Sequence, residues 1–315
     1  MAGLFMGKEA QERMHLGLSR ALVLLSFTAH LTLALLAGIR RRKDSGVRRS
    51  LVWLAYHVTE IATPVALGKV FLDTATADSE QQLLVSATYR EQQMFAFWAP
   101  FLLLHLGRPD NITSYALENK GLSPAHIAGL ILAIGGAIYG SYKQRFMRGD
   151  GHLRAAFFIM LFFGSYKYVE GAVALHRASF ASIRRSNERK KLRHFTVEDE
   201  GSKRDDPLLD AHGLLGVTMG AFAEYQVNRR RYVPSYSGWK DVSKVVEMEA
   251  SLMYDILYTK GTMIHTWSGY IIRALSPLAT ATALSLSSTV KRGRPWRVWI
   301  GWSHTSCLLV TWCWM

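Results

Sequence analysis

The sequence predicts an all-α, multi-pass transmembrane helix bundle of about six to seven helices with a polar cytosolic linker. Three observations carry this. Hydrophobic residues make up 49% of the 315 residues and charged residues only 20%. The apolar residues are segregated into runs of membrane-crossing length, although the mean hydropathy is only +0.06. Clusters of Lys and Arg bracket those runs and give the chain a net charge of +14. An apolar content this high excludes a disordered chain. Two cysteines, Cys307 and Cys313, exclude a disulfide-stapled secreted domain.

The first span is Ala21 to Ile39, which carries no charge. At a 1.5 Å rise, about 19 residues nearly match a hydrocarbon core of about 30 Å. Arg40, Arg41, Arg42 and Lys43 follow it, a basic clamp rather than a signal-peptide cleavage site. The second span, Leu51 to Leu72, contains His57, Glu60, Pro64 and Lys69, so it cannot face lipid all round. Met94 to Leu106 is apolar but short; it is either a span extended backward or a re-entrant segment. Ile127 to Tyr142 is the fourth span and Ala155 to Leu175 the fifth. The sixth is Met263 to Leu286, with Arg273 inside and Pro277 as a kink. Val298 to Met315 is a possible seventh.

Lys and Arg set the orientation. The loop from Arg40 to Arg49 holds six basic residues against one acid and belongs in the cytosol. The stretch after the fifth span, with Arg177, Arg184, Arg185, Arg189, Lys190, Lys191 and Arg193, belongs there too. Both hold together if the third run crosses, at the expense of leaving Lys143, Arg145, Arg148 and Arg154 outside. If it does not cross, that loop is satisfied and the long stretch moves outside.

Four regions result: a bundle over 1–175, a charged linker over 176–245, a helix and span over 246–288, and a basic, Trp-rich tail over 289–315. Within the linker, Arg184 to Asp206 reads as solvated, Leu214 to Tyr225 as a short interfacial or buried helix, and Asn228 to Lys240 as a loop. Val242 to Lys260 reads as a helix with Val245, Val246, Met248, Leu252, Met253 and Ile256 on its apolar side.

The polar residues at membrane depth are the candidate site. His57 and Glu60 share a helix face and can relay protons or bind a cation. The plainer reading is an interhelical hydrogen bond, worth about 0.6 kcal/mol. His30, alone in the first helix, reads as a satisfied interior histidine ahead of a partner for Glu60. Lys167 and Glu170 pair across one turn, read as an interfacial ion pair with a snorkelling lysine. Asp255, Lys260, His265 and Arg273 form a polar ladder, and Arg273 needs a partner elsewhere, Glu60 or Glu170. Gly136 and Gly140 form a small-residue face for internal packing. Asn111-Ile112-Thr113 is a glycosylation sequon, and Arg108-Pro109-Asp110 before it is a turn ending the third helix. The tail interleaves Lys291, Arg292, Arg294 and Arg297 with Trp296, Trp299 and Trp302. That pattern fits a membrane-interface belt better than nucleic-acid stacking. No phosphate-loop, HExxH, GxSxG or CxxC motif is present.

Two long stretches carry a family resemblance: FWAPFLLLHLGRPDNITSYALE from Phe97, and SLMYDILYTKGTMIHTWSGYIIR from Ser251. YKYVEGAVAL from Tyr166 adds to them. Together they resemble the multi-pass plant membrane-protein family of domain of unknown function 4220, over roughly Arg20 to Leu286. The shared motif residues are Trp98, Pro100, His105, Gly107, Pro109, Asp110, Tyr254, Asp255, Tyr258, His265 and Trp267. After Ser288 the likeness stops, which reads as a C-terminally truncated member. The resemblance implies a multi-pass membrane protein and no established mechanism.

The functional expectation is a non-enzymatic membrane scaffold or interaction protein. The alternative is a transporter or channel using His57, Glu60 and Arg273. A membrane-embedded enzyme would need more His and acidic residues at one depth. The expected partners are the lipid bilayer, anionic headgroups and unidentified proteins, with no nucleic acid and no cofactor. The plasma membrane and the endomembranes stay open as locations.

Overall fold

The computed structural model describes residues 2–41, 45–76, 99–115, 124–143, 151–192, 207–224 and 238–289. Residues 77–98 before the third helix (Trp98 among them), residues 193–206 and 225–237 of the charged linker, and the tail after 289 lie outside them. The described residues are helical, joined by short turns. Helix α1 is Ala2–Leu36, followed by a 3-10 turn at Ala37–Arg41, and α2 is Gly46–Thr76. Residues 99–106 belong to α3. Then come α4 (Pro124–Lys143), α5 (Gly151–Arg177), α6 (Phe180–Leu192), α7 (Pro207–Phe222), α8 (Trp239–Tyr258), α9 (Gly261–Ile264) and α10 (Trp267–Thr289).

Among the described residues, three helices are long and apolar enough to cross a membrane: Gly17–Ile39, Gly46–Leu72 and Arg154–Arg177. Apolar side chains line both their inner and their outer faces, and polar ones are buried among them. On α1, Ser26 and His30 are fully buried, whereas Leu24, Leu25 and Leu35 are exposed. On α2, Thr59 and Thr63 point inward while Leu54 and Ile61 point out. Polar groups bond inside and apolar side chains face the surroundings, as a lipid solvent demands. Three helices of this length and composition are the pattern of a multi-pass membrane protein.

The chain from 99 to 115 runs lengthwise beside α1, in the same direction. Leu102 and Leu103 share a core with Val23 and Val70. One turn on, His105 meets Ser26. Asn111 then reaches Ala34, and Ile112 packs with Ala37 and Val52. The turn between α1 and α2 and the loop 107–115 therefore lie at one end of the bundle.

Helix α5 runs parallel to α3 at very close range. A Cβ on Gly164 would sit 2.7 Å from the Pro100 carbonyl oxygen, and one on Gly171 would sit 2.8 Å from that of Gly107. Helix α10 runs back along α5: Arg273 lies by Glu170, and Ala283 packs with Ala156 and Met160. Helix α4 covers α2, with Gly136 against the Phe71 ring.

Several boundaries differ from expectation. The sixth span does not begin at Met263, because the chain turns at His265 and Thr266. The Thr266 hydroxyl accepts the Gly269 N–H and caps α10. Neither α10 nor α4 is among the three helices long and apolar enough to cross; the apolar part of α4 is His126–Tyr139. The linker from Arg184 is not all coil, because α6 continues to Leu192. Helix α7 starts at Pro207, seven positions before Leu214, since Pro suits a first helical position. On α8, Val246 is 56% exposed rather than core, and Glu249 takes an inward position where it accepts the Thr218 hydroxyl.

Candidate functional site

The site begins where α3 stops. Pro109 disfavours helical geometry in Arg108 before it, and Arg108 turns into the left-handed region at φ 58°. A non-glycine residue holds that conformation only when its surroundings fix it. Here the Arg108 guanidinium reaches Glu60 on α2 at 2.5 Å and also donates to the Thr113 carbonyl.

The loop that follows is non-helical backbone level with Leu33 and Ala34 of α1, inside a candidate span. Such backbone must find every partner within the protein. It does so against the chain between α8 and α9. The Thr113 N–H donates to the Tyr258 carbonyl at 2.8 Å, and the Lys260 N–H donates to the Asp110 carbonyl at 3.0 Å. The Lys260 ammonium, fully buried, donates to the carbonyls of Gly107 and Arg108 at 2.7 and 2.9 Å. It thus caps the C-terminal end of α3, where the helix dipole favours a cation.

Five charged side chains converge there. Arg273 on α10 donates through Nε to Asp110 at 2.6 Å and through Nη1 to Glu170 at 3.0 Å. Lys260 lies 3.4 Å from Asp110 and 3.7 Å from Glu170. Lys167 lies 3.5 Å from Asp110 and 3.6 Å from Glu170. Lys167, Glu170 and Lys260 are buried, while Arg273 and Asp110 keep 13% and 16% of their side chains exposed. Three cations face two carboxylates, so the cluster carries one surplus positive charge. The Arg273 Nη2 and Glu170 Oε2 atoms are buried without a hydrogen-bond partner among the described residues.

Asp110→Asn should lower the thermal unfolding temperature in detergent, because Lys167, Lys260 and Arg273 lose a carboxylate that they share. An unchanged unfolding temperature would show that Asp110 is not held by these cations.

Several expected pairings are replaced. Lys167 and Glu170 form a buried pair rather than an interfacial one, because Asp110, Lys260 and Arg273 all crowd onto them. Of the two candidate partners for Arg273, Glu170 is in contact; Glu60 is taken by Arg108, and Asp110 fills the second place. His30 does not meet Glu60. Its ring stacks on His105 with centroids 5.1 Å apart, beside a Ser26 to Thr63 hydrogen bond of 2.7 Å. His57 sits among the rings of Trp53, Tyr56 and Tyr115 rather than on Glu60. Of the polar ladder, Lys260 and Arg273 enter the cluster. His265 bonds the Tyr270 hydroxyl at 2.9 Å, and the Asp255 carbonyl takes the N–H of Thr259.

Among the other motif residues, Pro100 and Pro109 are buried, Tyr254 stacks near Tyr258 at 5.2 Å, and Trp267 is 85% exposed. Asn111 uses its side-chain nitrogen, the atom a glycan would occupy, to bond the Ala34 carbonyl at 2.7 Å. Sequence reasoning places Arg108 only in a turn and Lys260 only on a ladder. The available signal was that both fall inside the two long motifs, which the structure interlocks. No group of three or more His, Cys, Asp or Glu suited to a metal ion occurs among the described residues.

A helical bundle with membrane-length spans, locked by an ionic cluster at two helix breaks, is the class of protein this geometry defines. The chain belongs to the family of domain of unknown function DUF4220, whose model matches residues 53–311. The match starts later than Arg20 and continues past Ser288, so the Trp-rich tail lies largely within the family domain. No curated protein and no solved structure matches the chain.

Proposed function

We propose that this chain is a non-enzymatic membrane scaffold whose bundle is held in one arrangement by the ionic cluster. The observation that carries this reading is mutual pairing. Asp110 comes from the loop after α3, Lys167 and Glu170 from α5, Lys260 from the chain between α8 and α9, and Arg273 from α10, and each lies within ion-pair distance of at least two opposite charges. Buried ion pairs add little net stability over apolar packing, but they enforce one register, because any other arrangement leaves a charge unpaired. The frame then holds α6, α7 and α8 at one end, next to the α5 terminus.

A second reading, a transporter or channel, is favoured by a separate observation. Broken helices meeting at charged groups inside a bundle form substrate sites in secondary transporters. The cluster here lies at two such breaks and retains a surplus cation with an orphan Arg273 nitrogen. The test is flux. The full chain in proteoliposomes is expected to pass protons and chloride no faster than empty vesicles. Flux above that level, abolished by Glu170→Gln in protein that remains folded, would overturn the scaffold and establish the second reading.

A further inference from the structure

We propose that α7 is an in-plane membrane-surface helix. Its outer face is seated in the leaflet at the α5 C-terminal end, and neighbouring arginines engage anionic lipid headgroups. This needs only that the bundle crosses a bilayer; it is independent of the scaffold and transporter readings.

The first support is the outer face itself. Ala211, Leu215 and Met219 of α7 pack inward, with Leu215 and Met219 in a core shared with Ile183 and Leu257. On the opposite side, Leu209 and Val217 are 52% and 37% exposed, and at the two ends of the inner stripe Leu208 and Phe222 are 51% and 42% exposed. Gly213 and Gly216 lie on the side of Leu209 and Val217 as well, with nothing within 4 Å of their Cβ positions. The single acid of the helix, Asp210, is covered at 8% exposure, and the one exposed ionisable side chain on the helix is His212. A helix on a water-facing surface places its charges outward and its apolar residues inward. Apart from His212, the exposed side chains of α7 are apolar or small, so its outer face has a solvent other than water.

The second support is the contrast with α8, packed against it. The exposed positions of α8 carry Lys240, Asp241, Lys244 and Glu247 beside Trp239 and Val246. Four charges thus put α8 toward water, whereas the exposed face of α7 has no acid or base but His212 and is toward lipid.

The third support is position and charge. Phe180, three residues past the end of the Arg154–Arg177 span, pairs with Phe222 at 5.7 Å. Both rings are partly exposed, which places the end of α7 at the depth where aromatic belts form. Arg177 and Arg185 are exposed beside this pair. Arg48 and Arg49 are exposed at the start of α2, at the same end of the bundle. The helix is about 24 Å long, too short to cross a core of about 30 Å and suited to lying in its surface. Basic residues flanking an apolar helix match an anionic leaflet.

The test uses the full chain with Cys307→Ser and Cys313→Ser, labelled with an environment-sensitive dye at Leu209→Cys, Val217→Cys or Lys244→Cys. Each is reconstituted into phosphatidylcholine vesicles with or without phosphatidylserine. Dye at positions 209 and 217 should be blue-shifted and quenched by headgroup-region spin-labelled lipid, and dye at 244 should be neither. Phosphatidylserine should strengthen the signal, and replacing Arg177 or Arg185 by Gln should weaken that gain by about fivefold each. Dye in water at all three positions would overturn the proposal. So would equal quenching by deep-chain labels, which would mean insertion across the core. Protection of 209 in cells without protection in vesicles would overturn it in favour of a protein partner. A signal independent of phosphatidylserine would overturn the headgroup part.

Discussion

Lys260→Ala is expected to destabilise the bundle by about 3–5 kcal/mol, the range for removing one partner from a buried ionic group. Two losses combine. Asp110 and Glu170 lose a cation at 3.4 and 3.7 Å, and the carbonyls just past the end of α3, at Gly107 and Arg108, lose their donor. An unsatisfied buried acceptor alone costs about 1–3 kcal/mol. The readout is thermal unfolding of the purified protein in detergent, with size-exclusion behaviour as a check on aggregation. Since the variant can fail to fold outright, Lys260→Met is paired with Glu170→Gln in a double-mutant cycle. The pair should be less damaging than the sum of the single changes, by about 0.5–3 kcal/mol. Additive losses, or an unaltered melting temperature for Lys260→Ala, would remove Lys260 from the cluster.

The second large effect concerns the crossing of α3 and α5. Gly107→Ala would place a Cβ 2.9 Å from the backbone carbon and oxygen of Lys167 and 3.0 Å from its Cβ. Backbone cannot step aside as a flexible side-chain tip can, so the helices must separate. Overpacking of this kind costs about 1–3 kcal/mol. It also displaces Lys167 and Glu170, so its effect should exceed that of an isolated clash. Gly171→Ala meets the Gly107 carbonyl oxygen at 2.8 Å at the same crossing, so the two changes should be less than additive. Gly68→Ala and Gly135→Ala serve as controls. Nothing lies within 4 Å of either added Cβ, and alanine has the higher helix propensity. Melting temperatures lowered by Gly107→Ala and Gly171→Ala but not by the controls would support the crossing; equal effects at all four sites would refute it.

Close packing also explains why the cluster is tolerable at membrane depth. A Lys167 side chain within a candidate span has no route to water, since it is fully buried. What replaces water is a ring of carboxylates fixed by three glycines, Gly107, Gly164 and Gly171, that let α3 and α5 approach to backbone contact. Small residues serve this purpose in membrane bundles generally. The same side chains on helices held farther apart would leave the ammonium unpaired.

The sequence by itself determined the three long spans, because a charge-free run such as Ala21 to Ile39 is a local property that any bilayer reads the same way. It determined the break after α3, because Pro109 restricts the residue before it. It also determined that Lys167 and Glu170 are neighbours, because three positions make one helical turn. Only the tertiary structure decided who pairs with Arg273 and Glu60, which residues cap α3, and that His30 stacks on His105. Arg273 and Asp110 are 163 positions apart, and no periodicity links them. Membrane helices present polar groups to one another without a sequence pattern that names the partner. The choice is made when loop 107–115 and the chain from Tyr258 to Lys260 satisfy each other's backbone, bringing five charges within 4 Å of an opposite charge. The physical reason is that hydropathy and helical turn geometry act over a few residues, whereas an ion pair in low dielectric is fixed by which backbones can approach.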